Sequence, residues 1–281
     1  MKRARLQNMT GVAVFTILLL ATGSGVTTVG AGQDITRMVD PLRDISTFAF
    51  GPGEQMRFDV GWNGIAAANV AVSTAYEMRD GRPVFRYNAV GKTSRLVRLF
   101  YTSEDRIESV IDVGSLSPIR YQIERNERGR MFTTDMEYED GVFRSHRTNP
   151  TGETNYVIDA EGNFDPFSVL YIARSLPLKV GSSYTLGVVD GKNRYKLTLV
   201  VEAREIVSVK AGRFDALRIR PEVENLDEPG TEGKGRIRKI RFWVTNDQYR
   251  VPVRLESDVT FGRIYGELTH FNRGRTLQVQ R

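Results

Sequence analysis

The sequence predicts a mainly β protein: a large curled antiparallel sheet, or barrel-like β-roll, with one short helix at about residues 165–176 covering or plugging it. Three observations carry that expectation. Apolar residues alternate with polar ones along most of the chain after residue 54. Asx-Gly turn pairs punctuate the alternation. A single stretch, FDPFSVLYIARSLPL at 164–178, switches to helical spacing.

The first 31 residues read as a secretory leader. Lys2, Arg3 and Arg5 give a basic start, an apolar run follows from about Val12 to Ala21, and Val29-Gly30-Ala31 offers a small-x-small cleavage site. The rival reading, an uncleaved anchor, meets an apolar run shorter than the ~20 residues a spanning helix needs. Cleavage after Ala31 implies an exported protein, and the absence of cysteine fits a bacterial periplasm. A cysteine-free chain also excludes disulfides, thiol catalysis, cysteine metal sites and a lipid-modified cysteine. The net charge of +6 owes half its value to the leader, and the remainder is too mild for a nucleic-acid footprint.

Residues 32–53 end in the breaker cluster Gly51-Pro52-Gly53 and read as an extended arm or loosely packed lead-in. One β domain then spans 54–273, with a tail at 274–281. In MRFDVGW, Met56, Phe58, Val60 and Trp62 share one face. Asn63-Gly64 follows, because both residues tolerate the positive φ of a type I′ hairpin. Further turn pairs stand at Asp80-Gly81, Asp140-Gly141 and Asp190-Gly191, and about a dozen strands lie between them and beyond. LFYTSEDRIESVI (99–111) reads as one of these, and 222–235 as a mobile hairpin loop. Strands apolar on one face bury that face, and a sheet this large curls to limit its unpaired edges.

In the helical stretch, Asp165 is placed to cap the first turn, Pro166 occupies the first helical position, and Pro177 ends the element. Phe167, Leu170, Tyr171 and Arg174 fall on one face. Two roles are open to such a helix: a plug for the β core, or one wall of a ligand site presenting Tyr171 and Arg174.

The run DPFSVLYIAR, with Asp165, Ser168, Tyr171 and Arg174, resembles the central signature of the bacterial family called domain of unknown function 3108. RFDVGWNGIAAANVAV, SPIRYQIER, KVGSSYTLGVV, VKAGRFDALRIRP and FWVTNDQYRVPVRLE fit that family in order, from roughly Gly53 to Phe271. The resemblance implies an exported, mainly β protein with a fold similar to that of a lipoprotein from a capsule-polysaccharide operon. It brings no catalytic residues. The chain departs from that lipoprotein in having no cysteine to acylate.

No catalytic constellation stands out. His146 and His270 are far apart and lack metal-ligand spacing. No nucleophile elbow or phosphate-cradling glycine loop occurs. Asp59, Asp105, Glu108, Asp135, Glu137 and Asp165 include no pair marked out for glycosidase chemistry. The run Lys234 to Arg241 holds five basic residues beside Phe242 and Trp243. It reads as an edge strand or as a site for an anion, with Arg236 and Arg238 on one face. Arg95 and Arg98, with Leu96, Leu99, Phe100 and Tyr101, form a second, weaker basic-apolar patch. Trp62 is placed to close a core or to stack on a ligand.

The expectation is a non-enzymatic periplasmic protein of envelope biogenesis, without metal or other cofactor. It would bind a lipid, glycolipid or polysaccharide through residues among Trp62, Tyr171, Arg174, Arg236, Arg238 and Trp243. The rivals are a scaffold contacting another envelope protein and a hydrolase of envelope sugars. Peripheral membrane contact is compatible with all three.

Overall fold

Alternation at period two produces one continuous sheet. The computed structural model describes residues 37–38, 45, 47–159, 161–227, 237–259 and 262–275; the proposed leader and most of the tail lie outside them. The strands are β1 (Arg37–Met38), β2 (Gln55–Trp62), β3 (Ile65–Arg79), β4 (Arg82–Thr93), β5 (Ser103–Asp112), β6 (Pro118–Glu127), β7 (Arg130–Glu139) and β8 (Val142–Asn149). They continue as β9 (Gly152–Asp159), β10 (Asn163–Phe164), β11 (Ser183–Val189), β12 (Arg194–Val209), β13 (Gly212–Asn225), β14 (Ile237–Thr245), β15 (Pro252–Val259) and β16 (Gly262–Asn272). One helix, α1 (Ser168–Arg174), interrupts them, together with a 3₁₀ turn at Val97–Leu99.

The spatial order is β1-β11-β12-β13-β14-β15-β16-β2-β3-β4-β5-β6-β7-β8-β9, with β10 pairing β11. Every pairing is antiparallel, most of them between consecutive strands, except those of the two-residue strands β1 and β10, which lie parallel to β11. The β16–β2 pairing joins the end of the domain to its start, so the two strand runs form one surface. The sheet curls but does not close, since its path ends at β1 and β9.

Turn chemistry accounts for the register. Asn63-Gly64, Asp80-Gly81 and Asp140-Gly141 all have positive φ at both positions, as type I′ turns require. Arg128-Gly129 makes the same turn without an Asx residue to announce it. Asp190 works differently: its carboxylate accepts the N–H groups of Lys192 and Asn193 (both 2.9 Å) to close a longer turn.

Four expectations need adjustment. Residues 94–102 are a turn segment, and the strand expected from Leu99 begins at Ser103. The 222–235 loop starts late, because β13 stays paired to β12 through Asn225; residues 228–236 lie outside the described set. Simple alternation fails in β14, where a bulge puts Lys239 at φ 50 between Arg238 and Arg241. The arm is packed tightly at its described end: Ile45, Phe48, Ala49 and Phe50 are all buried.

Candidate functional site

Asp165 caps α1 as its position foretold. Its Oδ1 accepts the N–H groups of Phe167 and Ser168 (both 2.9 Å), and its carbonyl takes the first helical bond, from Val169. Its Oδ2 accepts the Ser109 hydroxyl at 2.8 Å, which ties the helix start to β5. The carboxylate is fully buried, and burial raises its pKa above the ordinary value despite these donors.

The far end of the helix is tied by Arg174, whose guanidinium makes a bidentate pair with Glu54 (Nη1–Oε1 2.8 Å, Nη2–Oε2 2.9 Å). The same group donates to the carbonyls of Ala49, Tyr249 and Arg250 (3.4, 3.0 and 3.1 Å). Both side chains are only 3–4 % exposed. Burial works against the Arg174 charge, but Glu54 outweighs it and holds the pKa above the ordinary value. One short helix is thus fixed at both ends by buried polar contacts inside an apolar curl.

Between these anchors lies an aromatic cluster. Tyr171 stacks on Tyr87 of β4 with ring centroids 3.9 Å apart. Phe50 of the arm meets Tyr171 edge-on at 5.0 Å, and Phe167 does so at 5.7 Å. Burial pushes the Tyr87 and Tyr171 hydroxyls well up in pKa. The Tyr171 hydroxyl has Thr74 as a polar neighbour, but the two form no well-aligned hydrogen bond.

The other side of α1 faces a cavity of ≈ 180 Å³. Leu170 and Ala173 line it from the helix, and half-burial of both reflects that opening. Met56, Phe58 and Val60 line it from β2, and β3 and β11–β16 supply the rest of the wall. Gly266 of β16 also faces it, where a Cβ would stand in ordinary contact with Leu255 at 3.7 Å. The wall is overwhelmingly hydrocarbon.

Of the residues expected to form a ligand site, Tyr171 and Arg174 do line the cavity, but the Arg174 guanidinium is consumed by Glu54 and three carbonyls. Trp62 packs at the core margin and Trp243 is 7 % exposed; neither is in the cavity wall. Trp243 donates to Glu205 at 2.6 Å, with the Arg254 guanidinium over its ring. Arg236 and the Arg238 side chain lie outside the described residues. Their neighbour Arg241 pairs with Glu202, which also takes Arg218 and Arg220. β14 lies between β13 and β15, so the described part of the basic run is an interior strand and not the edge strand its charge suggested. The missed wall residues are the strand apolars and Gly266, which resemble any core position until the curl of the sheet is known.

Most of the candidate acids have structural partners. Asp59 binds Asn69 and Lys210, Asp135 pairs with Arg120, and Glu108 lies beside Arg86. Burial raises the Asp105 pKa to about 6, while Arg125 opposite it and the Ser103 hydroxyl pull it down. His146 is a surface residue bonded to Asn155 at 2.7 Å. No group of three metal-ligating side chains occurs among the described residues.

The family described as "Protein of unknown function (DUF3108)" matches residues 57–269, and the chain belongs to it. A β-barrel-like protein of the domain of unknown function DUF1849 from Brucella abortus is similar over 80 % of this chain and 99 % of its own, with TM-score 0.52 and 11 % identity. That likeness shows a shared fold. A provisionally assigned lipoprotein from Parabacteroides distasonis (TM-score 0.35, 13 % identity) covers 80 % of this chain and 99 % of its own. A provisionally assigned exported protein with a YmcC-like fold from Bacteroides fragilis (TM-score 0.34, 14 % identity) covers 82 % of this chain and 100 % of its own. No curated protein matches the sequence.

Proposed function

We propose that this member of the DUF3108 family is a non-enzymatic, exported cell-envelope protein that holds the end of an acyl chain, from a lipid or glycolipid, in the cavity beneath α1. The cavity carries the proposal. Its wall offers hydrocarbon on nearly every side, and its two charged lining residues are paired, Arg174 with Glu54 and Arg254 with Glu256. Each methylene moved there from water contributes about 0.8 kcal/mol. At ≈ 180 Å³ it is comparable to the ~150 Å³ engineered cavity that takes up benzene. That suits a chain end rather than a whole lipid. A polysaccharide fits poorly, because hydroxyls buried against this wall would find too few partners.

The leader-like N-terminus supports export. The structural engagement of Asp59, Asp135 and Asp165 supports a binding role over a hydrolytic one. The test is native mass spectrometry on protein purified without detergent from the exported fraction. A discrete added mass that extracts into organic solvent and fragments as an acyl-bearing molecule is the expected result. A bound oligosaccharide, or a bare protein mass under conditions that retain a control lipid carrier's ligand, overturns the reading.

A further inference from the structure

Most large apolar side chains among the described residues face the interior; of those that do not, three gather on one connection, whereas others such as Met78, Val157, Val180 and Ile206 stand on separate elements. Leu96, Leu99 and Phe100 are 59, 74 and 75 % exposed, together on the β4–β5 connection. A solvated loop has no need of such residues. Nor is this segment slack. Ser94 anchors it to the neighbouring β3, its N–H and hydroxyl reaching the carbonyls of Ala67 and Ala66 (2.8 and 2.7 Å). Inside the turn, Arg98 N–H bonds to Ser94 O and Phe100 N–H to Val97 O, both at 2.9 Å. Arg128, from the β6–β7 turn, donates to Phe100 O at 3.0 Å and lies over the Tyr101 ring. The hydrogen bonds hold the apolar side chains outward on a braced knob.

The knob's own charge is of one sign, and the nearest acids, Glu127 and Asp105, sit beside Tyr101, where Glu127 pairs with Arg125. Residues 94–102 contain Arg95 and Arg98 and no acid. Arg98 reaches only the Thr93 carbonyl (3.5 Å), Arg128 only backbone and a ring, and none of these three arginines is paired with a carboxylate among the described residues. Many strand arginines are matched to acids, as Arg120 is to Asp135 and Arg204 to Asp215, whereas all three arginines at the knob lack such a partner. Ile65, half exposed on the adjacent β2–β3 hairpin, extends the apolar surface at the same end.

The geometry points to a membrane-docking knob: Leu96, Leu99 and Phe100 insert into the headgroup–acyl boundary of an anionic phospholipid surface while Arg95, Arg98 and Arg128 meet its phosphates. Apolar insertion flanked by unpaired cations is the chemistry of peripheral interfacial binding. The inference goes beyond the cavity, and it holds whether or not the cavity is filled.

The test is co-flotation of the protein, taken from the exported fraction, with vesicles of phosphatidylglycerol and phosphatidylcholine in equal parts, and with pure phosphatidylcholine vesicles. Anionic vesicles should float the protein, and pure phosphatidylcholine should float it weakly. Leu99→Asp with Phe100→Asp should lower partitioning at least about tenfold, and Arg95→Ala and Arg98→Ala about fivefold each at low salt. These side chains are exposed, so an unchanged far-ultraviolet spectrum and melting temperature are expected, and either variant class reports binding without unfolding. Equal flotation of wild type and the Asp variant overturns the proposal. So does failure of the wild type to float on anionic vesicles, including the case where the same surface captures an acidic protein instead.

Discussion

Replacing Glu54 with Ala should cost this fold far more than an average substitution. Arg174 would stay buried among the carbonyls of Ala49, Tyr249 and Arg250, but it would lose the two charge-assisted bonds of 2.8 and 2.9 Å. Breaking one side of a buried pair costs about 3–5 kcal/mol, because the surviving charge is left without its counter-ion. The three carbonyls still solvate the guanidinium in part, which favours the lower end, about 3 kcal/mol. For a domain of this size, that corresponds to a melting-temperature drop of roughly 6–12 °C. Urea denaturation followed by circular dichroism at neutral pH measures it. Glu54→Leu combined with Arg174→Met removes both charges but strands the carbonyls, so the pair should be worse than wild type yet better than the sum of the singles. A coupling energy above about 2 kcal/mol is expected. Additive singles, or a Glu54→Ala cost below about 1 kcal/mol, would refute the view that α1 is pinned by a desolvated pair.

Asp165→Ala removes the cap and the partner of Ser109, and should cost about 2–3 kcal/mol in the same assay, whereas Asp165→Asn, which can still accept the capping N–H groups, should cost clearly less. Asp105 should give the stability profile an acid-side slope. Its folded pKa of about 6 lies above the ordinary 3.8, so the folded state binds the proton more tightly; that stability is present below about pH 4 and lost as pH rises through 6. Asp105→Asn should therefore remove the slope and stabilise the protein near neutral pH, by at most about 3 kcal/mol, as read from denaturation midpoints across that window. Gly266→Leu sends a side chain into the cavity without a close Cβ contact, and should stabilise ligand-free protein by about 1–2 kcal/mol after rotamer entropy is subtracted; a lower melting temperature would mean the space is not there.

Much of this architecture was legible because its causes are local. Period-two alternation and the Asx-Gly turns gave most strands, and the Asp165-Pro166 start with Arg174 near the end gave the helix. What escaped the sequence depends on contacts distant along the chain. Glu54 and Arg174 meet across 120 residues, so nothing local marks Arg174 as a structural cation rather than a ligand group. The bulge at Lys239 and the Arg128-Gly129 turn require positive φ at residues that do not advertise it. The cavity is a property of curvature: Phe58, Leu197 and Phe242 read as ordinary core positions, and only the curl separates a filled core from one with space. In the knob, Leu99 and Phe100 read as the start of a strand, because apolar residues on a strand are usually buried; hydrogen bonding within 94–101 takes them out of the sheet.

The most direct test of the proposed acyl-chain site is a fluorescence titration with a fatty acid carrying an environment-sensitive dye, performed on delipidated wild type and on Gly266→Leu. Saturable one-to-one binding to wild type, lost or weakened at least about tenfold in a Gly266→Leu protein that melts no lower, is the result expected if the chain end occupies the cavity under α1. Equal affinity in the two proteins would place the acyl chain elsewhere and contradict the account.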